Sequence, residues 1–256
     1  MVRGIYAAAT GMLAQQAVQD ALAGNLANIN TAGYKQDIPT FRMLREMALR
    51  RYTRGAGDPG VPVGTMGMGA TFDRTVTDMA PGPLENTRNP FDLALHGSGF
   101  FAVQTPRGER YTRAGQFHVA PAGNGPDGKP ASYLVDDSGN RVLGLQGPIN
   151  LGGANDFVVQ PDGTVLTGGA VIDRLKLVDA PNTALIKEGG NLFALRGAPI
   201  PSTARVRQGF LEKANFSVVS SMVKMITVQR AYEAAQRAIH TQDDALNKVV
   251  NEVART

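Results

Sequence analysis

Chemistry in a chain with no cysteine must come from histidines, carboxylates, hydroxyls or glycine loops, and each arrangement can be tested by its spacing. Gly97-Ser98-Gly99-Phe100-Phe101-Ala102 fits the loose dinucleotide pattern, but a phosphate loop has to open a helix whose first amides face the pyrophosphate. Here the glycines run into Phe-Phe-Ala-Val, which reads as a strand, so a hairpin or close backbone contact is expected. Ser98 also lacks the glycine two residues before it that a nucleophile elbow needs. His96, His118 and His240 show no spacing of three or four, which excludes a helical metal pair, although His96 and His118 could meet in space. Asp136-Asp137-Ser138-Gly139-Asn140 begins like a calcium loop, yet Arg141 stands where glycine is required and Gly147 where the bidentate acid belongs, so a turn is predicted. Asp73, Asp78, Glu85, Asp92 and Glu109 could supply a glycosidase-like carboxylate pair, whose separation sequence does not fix. No catalytic, cofactor-binding or metal residue is assigned, and no cofactor or small-molecule substrate is expected.

The elements that would carry a site are easier to read. Glycine (30 residues) and proline (15) are frequent enough to predict many turns and a β-rich body. The net charge of +4 is matched by one stretch, where Arg42, Arg45, Arg50, Arg51 and Arg54 face only Glu46. The rest of the chain is neutral, which argues against a nucleic-acid partner. No apolar run approaches the length of a membrane span. Arg3, the run Ile5–Ala14 and Ala21-Leu22-Ala23 imitate a secretory signal, but Thr10 and Gly11 break the run and Gln15, Gln16, Gln19 and Asp20 follow it, so no cleaved signal peptide is expected.

Both ends of the chain carry heptads. Ile5, Met12, Gln19 and Leu26 fall seven apart, with Ala8, Gln15, Leu22 and Ile29 as the companion series, and a helix is predicted to stop near Asn30 with Gly33 as terminator. At the other end Val218, Met225, Tyr232, Ile239, Leu246 and Val253 repeat without a miss, accompanied by Ser221, Val228, Ala235, Gln242 and Val249. A helix of about 36 residues, roughly 54 Å long, follows from that register. Its apolar stripe exceeds what the shorter N-terminal helix can cover. The expected assembly seam is therefore Ile5, Met12, Leu22, Leu26, Ile29, Val218, Met225, Val228, Tyr232, Ile239, Leu246, Val249 and Val253, with a long helix lying across the β-domain as the alternative.

The fold class expected is α+β: long N- and C-terminal helices pairing as a coiled coil around a central all-β domain, an antiparallel barrel or sandwich. Strands are predicted at Leu93–Leu95, Phe100–Gln104, Tyr133–Val135, Phe157–Gln160, Val165–Thr167 and Val171–Val178, separated by turns at 105–108, 137–140 and 161–163. A short amphipathic helix is predicted from Pro39, with Phe41, Leu44, Ala48 and Tyr52 on one face. The domain reading is 1–30 with 215–256 as a discontinuous helical domain, 31–60 as connector, 61–205 as β-body and 206–214 as return linker.

Three blocks carry a resemblance. Asn25-Leu26-Ala27-Asn28-Ile29-Asn30-Thr31-Ala32-Gly33-Tyr34-Lys35 is similar to the N-terminal signature of the flagellar rod and hook family. Residues 89–103, from Asn89-Pro90-Phe91 to Phe101-Ala102-Val103, and Arg110-Tyr111-Thr112-Arg113-Ala114-Gly115 resemble its central block. Gln208-Gly209-Phe210-Leu211-Glu212-Lys213-Ala214-Asn215 and residues 225–233 resemble its C-terminal block. Gly24, His96 and Ser98 depart from the pattern. The resemblance implies a non-enzymatic subunit of the basal-body rod, self-assembling through its terminal helices, in contact with neighbouring axial proteins and exported by the flagellar type III apparatus. Gly147-Pro148-Ile149 and the ending 247–253 resemble the proximal-rod branch, while 41–64 resembles an extra stretch of the distal branch. A second reading is a secreted hydrolase or binding module for cell-wall polysaccharide, with a helical oligomerisation handle.

Overall fold

The structure is a computed structural model, and it describes residues 2–51, 60–124, 130–152 and 157–253. The chain divides into two compact units, one made of residues 1–26, 37–76 and 218–256, the other of 27–36 and 77–217.

In the larger unit an antiparallel sheet runs in the order Leu185–Gly189, Leu192–Leu195, Gly108–Thr112, Phe100–Thr105, Arg141–Val142, Pro130–Asp136, Phe117–Asn124. The strand Phe100–Thr105 is its axis. It pairs with Gly108–Thr112 on one side, and its other side is shared by Arg141–Val142 and Leu177–Asp179. The alternation of that strand decides the packing. Phe101 and Val103 enter a core with Leu93, Phe117, Leu134, Ile149, Phe157 and Val165, while Phe100 and Ala102 enter a second one with Tyr111, Val178 and Phe193. Both faces are thus covered, each fully buried aromatic contributing about 1.5–3 kcal/mol of apolar burial. The end strands of the sheet do not meet among the described residues, so the described sheet is open. A small three-stranded sheet, Phe157–Val159, Thr164–Thr167 and Ala170–Arg174, also belongs to this body, and the expected run 171–178 is split at its end by Leu175 and Lys176.

The turns follow their chemistry. Asp136 takes backbone hydrogen bonds from Ser138 and Asn140 on one carboxylate oxygen, and Gly139 adopts φ +80°. The calcium-like segment is a side-chain-capped turn.

In the smaller unit α1 spans Val2–Ala27 and α2 spans Val218–Val253. Between them in sequence lie two ribbons: Asp37–Met43 pairs with Ala70–Thr77, and Met47–Arg51 with Val61–Met66. These strands replace the short helix expected from Pro39. The helical three- and four-residue spacing of Phe41, Leu44 and Ala48 is a local pattern, overridden by partners rich in β-branched residues further along; Phe41 meets Phe72 edge to face across the ribbon. Tyr52, the last residue of that expected helix, lies outside the described residues. The expected return linker 206–214 is likewise mostly strand, Arg205–Gln208 and Phe210–Glu212.

Candidate assembly seam and a buried ionic cluster

The inner face of α2 follows the heptads. Val218, Met225, Tyr232, Ile239 and Leu246 are half-buried, Val228 is 9% exposed, and the interleaved Ser221 is buried, whereas Val249 is 45% exposed. Val253 ends the helix, and its side chain lies outside the described residues. On α1, Ile5, Met12, Leu22 and Leu26 are half-buried, and Ile29, also half-buried, falls in the turn after the helix. Gln242 of α2 lies against Gly4 of α1, where a Cβ would stand 2.5 Å from Gln242 Nε2. Asn25, 3% exposed, fixes the last turn of α1 by donating to the Asp37 carbonyl and accepting from the Asp37 amide, both at 2.9 Å.

A second apolar stripe runs along α2 on a different face. Val219, Met222, Val223 and Ile226, spaced as one helical face, are 72%, 49%, 58% and 53% exposed. Four large apolar side chains open to solvent within two turns form a surface that a soluble helix rarely leaves uncovered.

The residues that sequence reasoning missed lie in the larger unit. Lys35, Arg113 and Glu212 come from the three signature blocks and meet in the interior, 1%, 6% and 1% exposed. Lys35 Nζ donates to Glu212 Oε1 at 2.6 Å and to the Ala80 carbonyl at 2.7 Å. Arg113 Nε donates to Glu212 Oε2 at 2.6 Å, and its remaining nitrogens donate to the carbonyls of Leu95, Gly97 and Gly99. The Gly82 amide donates to Glu212 Oε1 at 2.9 Å. Burial alone would raise the Glu212 carboxyl; Arg113, Lys35 and the Gly82 amide outweigh it and hold the group below the usual glutamate value. Burial pulls Lys35 down, and the hydrogen bond and charge of Glu212 offset that only in part. The glycine-rich segment 97–99, with its dinucleotide-like spacing, therefore presents carbonyls to an arginine and opens a strand.

Around this cluster the segment Ala32–Gln36 is held by backbone hydrogen bonds at Ala32, Gly33, Lys35 and Gln36. Asn191 donates to the Ala32 carbonyl, the Gly33 amide to the Glu212 carbonyl, Lys187 Nζ to the Lys35 carbonyl, the Gln36 amide to Asn215 Oδ1 and the Asp78 amide to the Gln36 carbonyl. Tyr34 is 6% exposed, edge-on to Phe216 and under Lys187 Nζ at 4.1 Å. Gly33 adopts φ +65° against the Arg113 backbone; α1 already ends at Ala27, so the glycine expected to terminate the helix near Asn30 instead serves a close approach six residues beyond it.

The carboxylates considered for hydrolysis are dispersed in other roles. Glu85 pairs with Lys213, Glu109 with Lys176 at 2.7 Å, and Asp92 accepts from Asn89 at 3.0 Å. No group of three metal-capable side chains occurs among the described residues, and no described helix is long and apolar enough to cross a membrane.

Comparison with known proteins places the same three blocks. Three protein-family models match: flagella basal body rod protein over residues 5–35, flagellar hook protein FlgE/F/G D1 domain over 94–167, and flagellar basal body rod FlgEFG protein C-terminal over 207–252. The chain is 30% identical to the flagellar basal-body rod protein FlgF of Caulobacter vibrioides, over all of this chain and 99% of that one. The chain belongs to the flagellar basal-body rod protein family. It is also 28% identical to FlgG of Bacillus subtilis, covering 98% of this chain and 99% of that protein, and 32% identical to FlgF of Escherichia coli, covering 93% and 91%. Lys35 closes the first matched segment, Arg113 lies in the second and Glu212 in the third, so the ionic cluster ties together the three parts by which this rod-family chain is recognised.

Proposed function

We propose that this chain is a structural subunit of the flagellar rod that self-assembles into a tubular helical stack, its terminal helices pairing as a coiled coil and packing against those of neighbouring copies. The observation that carries the reading is the second apolar face of α2: a helix with one stripe half-buried and another exposed has contacts left for a neighbour. The seam from Ile5 to Val253 then serves both the pairing of the two helices and their packing against neighbours, and Val219, Met222, Val223 and Ile226 extend the surface offered to the stack. Every copy presents the same stripe, so a heterologous contact repeats along the axis. Export through the flagellar type III apparatus, contact with other rod and hook proteins and a place in the proximal rod belong to the same proposal, the last favoured by Gly147-Pro148-Ile149 and the ending 247–253.

Ile226→Asp tests it. A carboxylate on an exposed position changes the free subunit little, within about 0.5 kcal/mol. At a buried contact it loses apolar area and adds desolvation, and the loss recurs at every interface. The variant should be made and secreted, and basal bodies from its cells should lack an extended rod. Swimming at the wild-type rate would reject the outer stripe as an interface.

A further inference from the structure

Glu212 sits between two cations that have no reason to be neighbours without it. Lys35 binds one carboxylate oxygen and Arg113 the other, each at 2.6 Å, and the Arg113 charge works against the charge on Lys35. Asp78, which accepts from the Gln36 side chain at 3.1 Å, is the other acid acting on Lys35, and Lys187 adds a further cation at the Lys35 carbonyl. Arg113 is committed to the body: its donors hold the carbonyls of Leu95, Gly97 and Gly99. Lys35 rides on a segment that continues from α1, and Glu212 on the block that leads into α2. The pocket that receives Lys35 is thus positively charged until Glu212 enters it.

We propose that Glu212 is a charge-conditional latch: it lets the Ala32–Gln36 segment dock on the body only when the Gln208–Asn215 block is seated, and its loss releases both together. The same carboxylate takes a backbone amide from Gly82, and the Glu212 carbonyl takes the Gly33 amide, so side chain and main chain close in one event. Lys213, next along, donates its amide to Pro83 and reports on the C-terminal side of the latch.

Hydrogen exchange on the full chain tests this with Glu212→Gln, Lys35→Met and the double variant. In Glu212→Gln the amides of Gly33, Gln36 and Lys213 should exchange faster by a common factor of about ten or more, while those of Leu134 and Val142 in the sheet stay protected. Adding Lys35→Met removes the repelled cation and should restore much of that protection. Uniform acceleration that includes Leu134 and Val142, or none anywhere, would overturn the latch. A double variant that exchanges as fast as Glu212→Gln alone would also overturn it. If Glu212→Gln does not fold, folding of the double variant supports the proposal, and failure of both rejects it.

Discussion

The inner face of α2 and the cluster at Glu212 hold the chain in opposite ways. Along α2 the contact is periodic and shallow: one heptad after another, most positions half-buried, none decisive alone. At Glu212 three side chains from blocks up to 177 residues apart are buried almost completely, and the hydrogen bonds converge on one carboxylate. A shallow repeat tolerates loss at one position and can be shared with a neighbour. A buried knot of charges does neither, because removing one member strands the others.

The largest effect should therefore come from the knot. Glu212→Ala leaves Lys35 and Arg113 buried without their anion, and should cost about 3–5 kcal/mol. For a body of this size that corresponds to a fall of roughly 10 °C in melting temperature by calorimetry. A shift of a degree or less would mean that the two cations find water, and the contrast would collapse. Acid should reproduce part of the loss. The folded-state pKa of Glu212 is held below the usual glutamate value, so its contribution is complete above that usual value and disappears as pH falls through the folded one. Melting temperature should drop more steeply with acid in the wild type than in Glu212→Gln.

Gly33→Ala comes next, at about 1–3 kcal/mol, because φ +65° is costly for alanine and the added methyl meets the Arg113 backbone. Urea unfolding monitored at Tyr34 would show it, and an unchanged midpoint would mean that the close approach relaxes freely. On the helices the effects should be smaller. Leu246→Asp, on the half-buried face, should cost about 0.5–3 kcal/mol in the helical unit without moving the melting of the β-body, and should also stop rod growth. Equal helicity by circular dichroism would show that the inner stripe is not holding α2. Ile226→Asp, on the exposed face, should be nearly silent in the monomer, which distinguishes the two faces of one helix.

These regions also differ in how much of them sequence makes visible. Val218–Val253 is legible because a heptad is a local code, and the helix ends where the register ends. The strands at 93–96, 100–105 and 164–167 are legible for the same reason, from runs of β-branched and aromatic residues between turn signals. The segment from Pro39 misleads, since a helical apolar spacing in a short stretch cannot compete with strand partners at 61–66 and 70–77. Openness of the sheet is also invisible, because closure depends on which edges meet. Lys35, Arg113 and Glu212 read as ordinary surface charges. Nothing in their types says that they converge, and the one available signal is that each falls inside a block that resembles the rod and hook family.

The separation of Lys35 and Glu212 by 177 residues also has a consequence in time. A ribosome working at about 5–20 residues per second needs roughly 10–35 s to travel from one to the other. For that interval every nascent copy carries a lysine whose partner has not yet been synthesised, and the knot can close only after the block at 208–215 has been made.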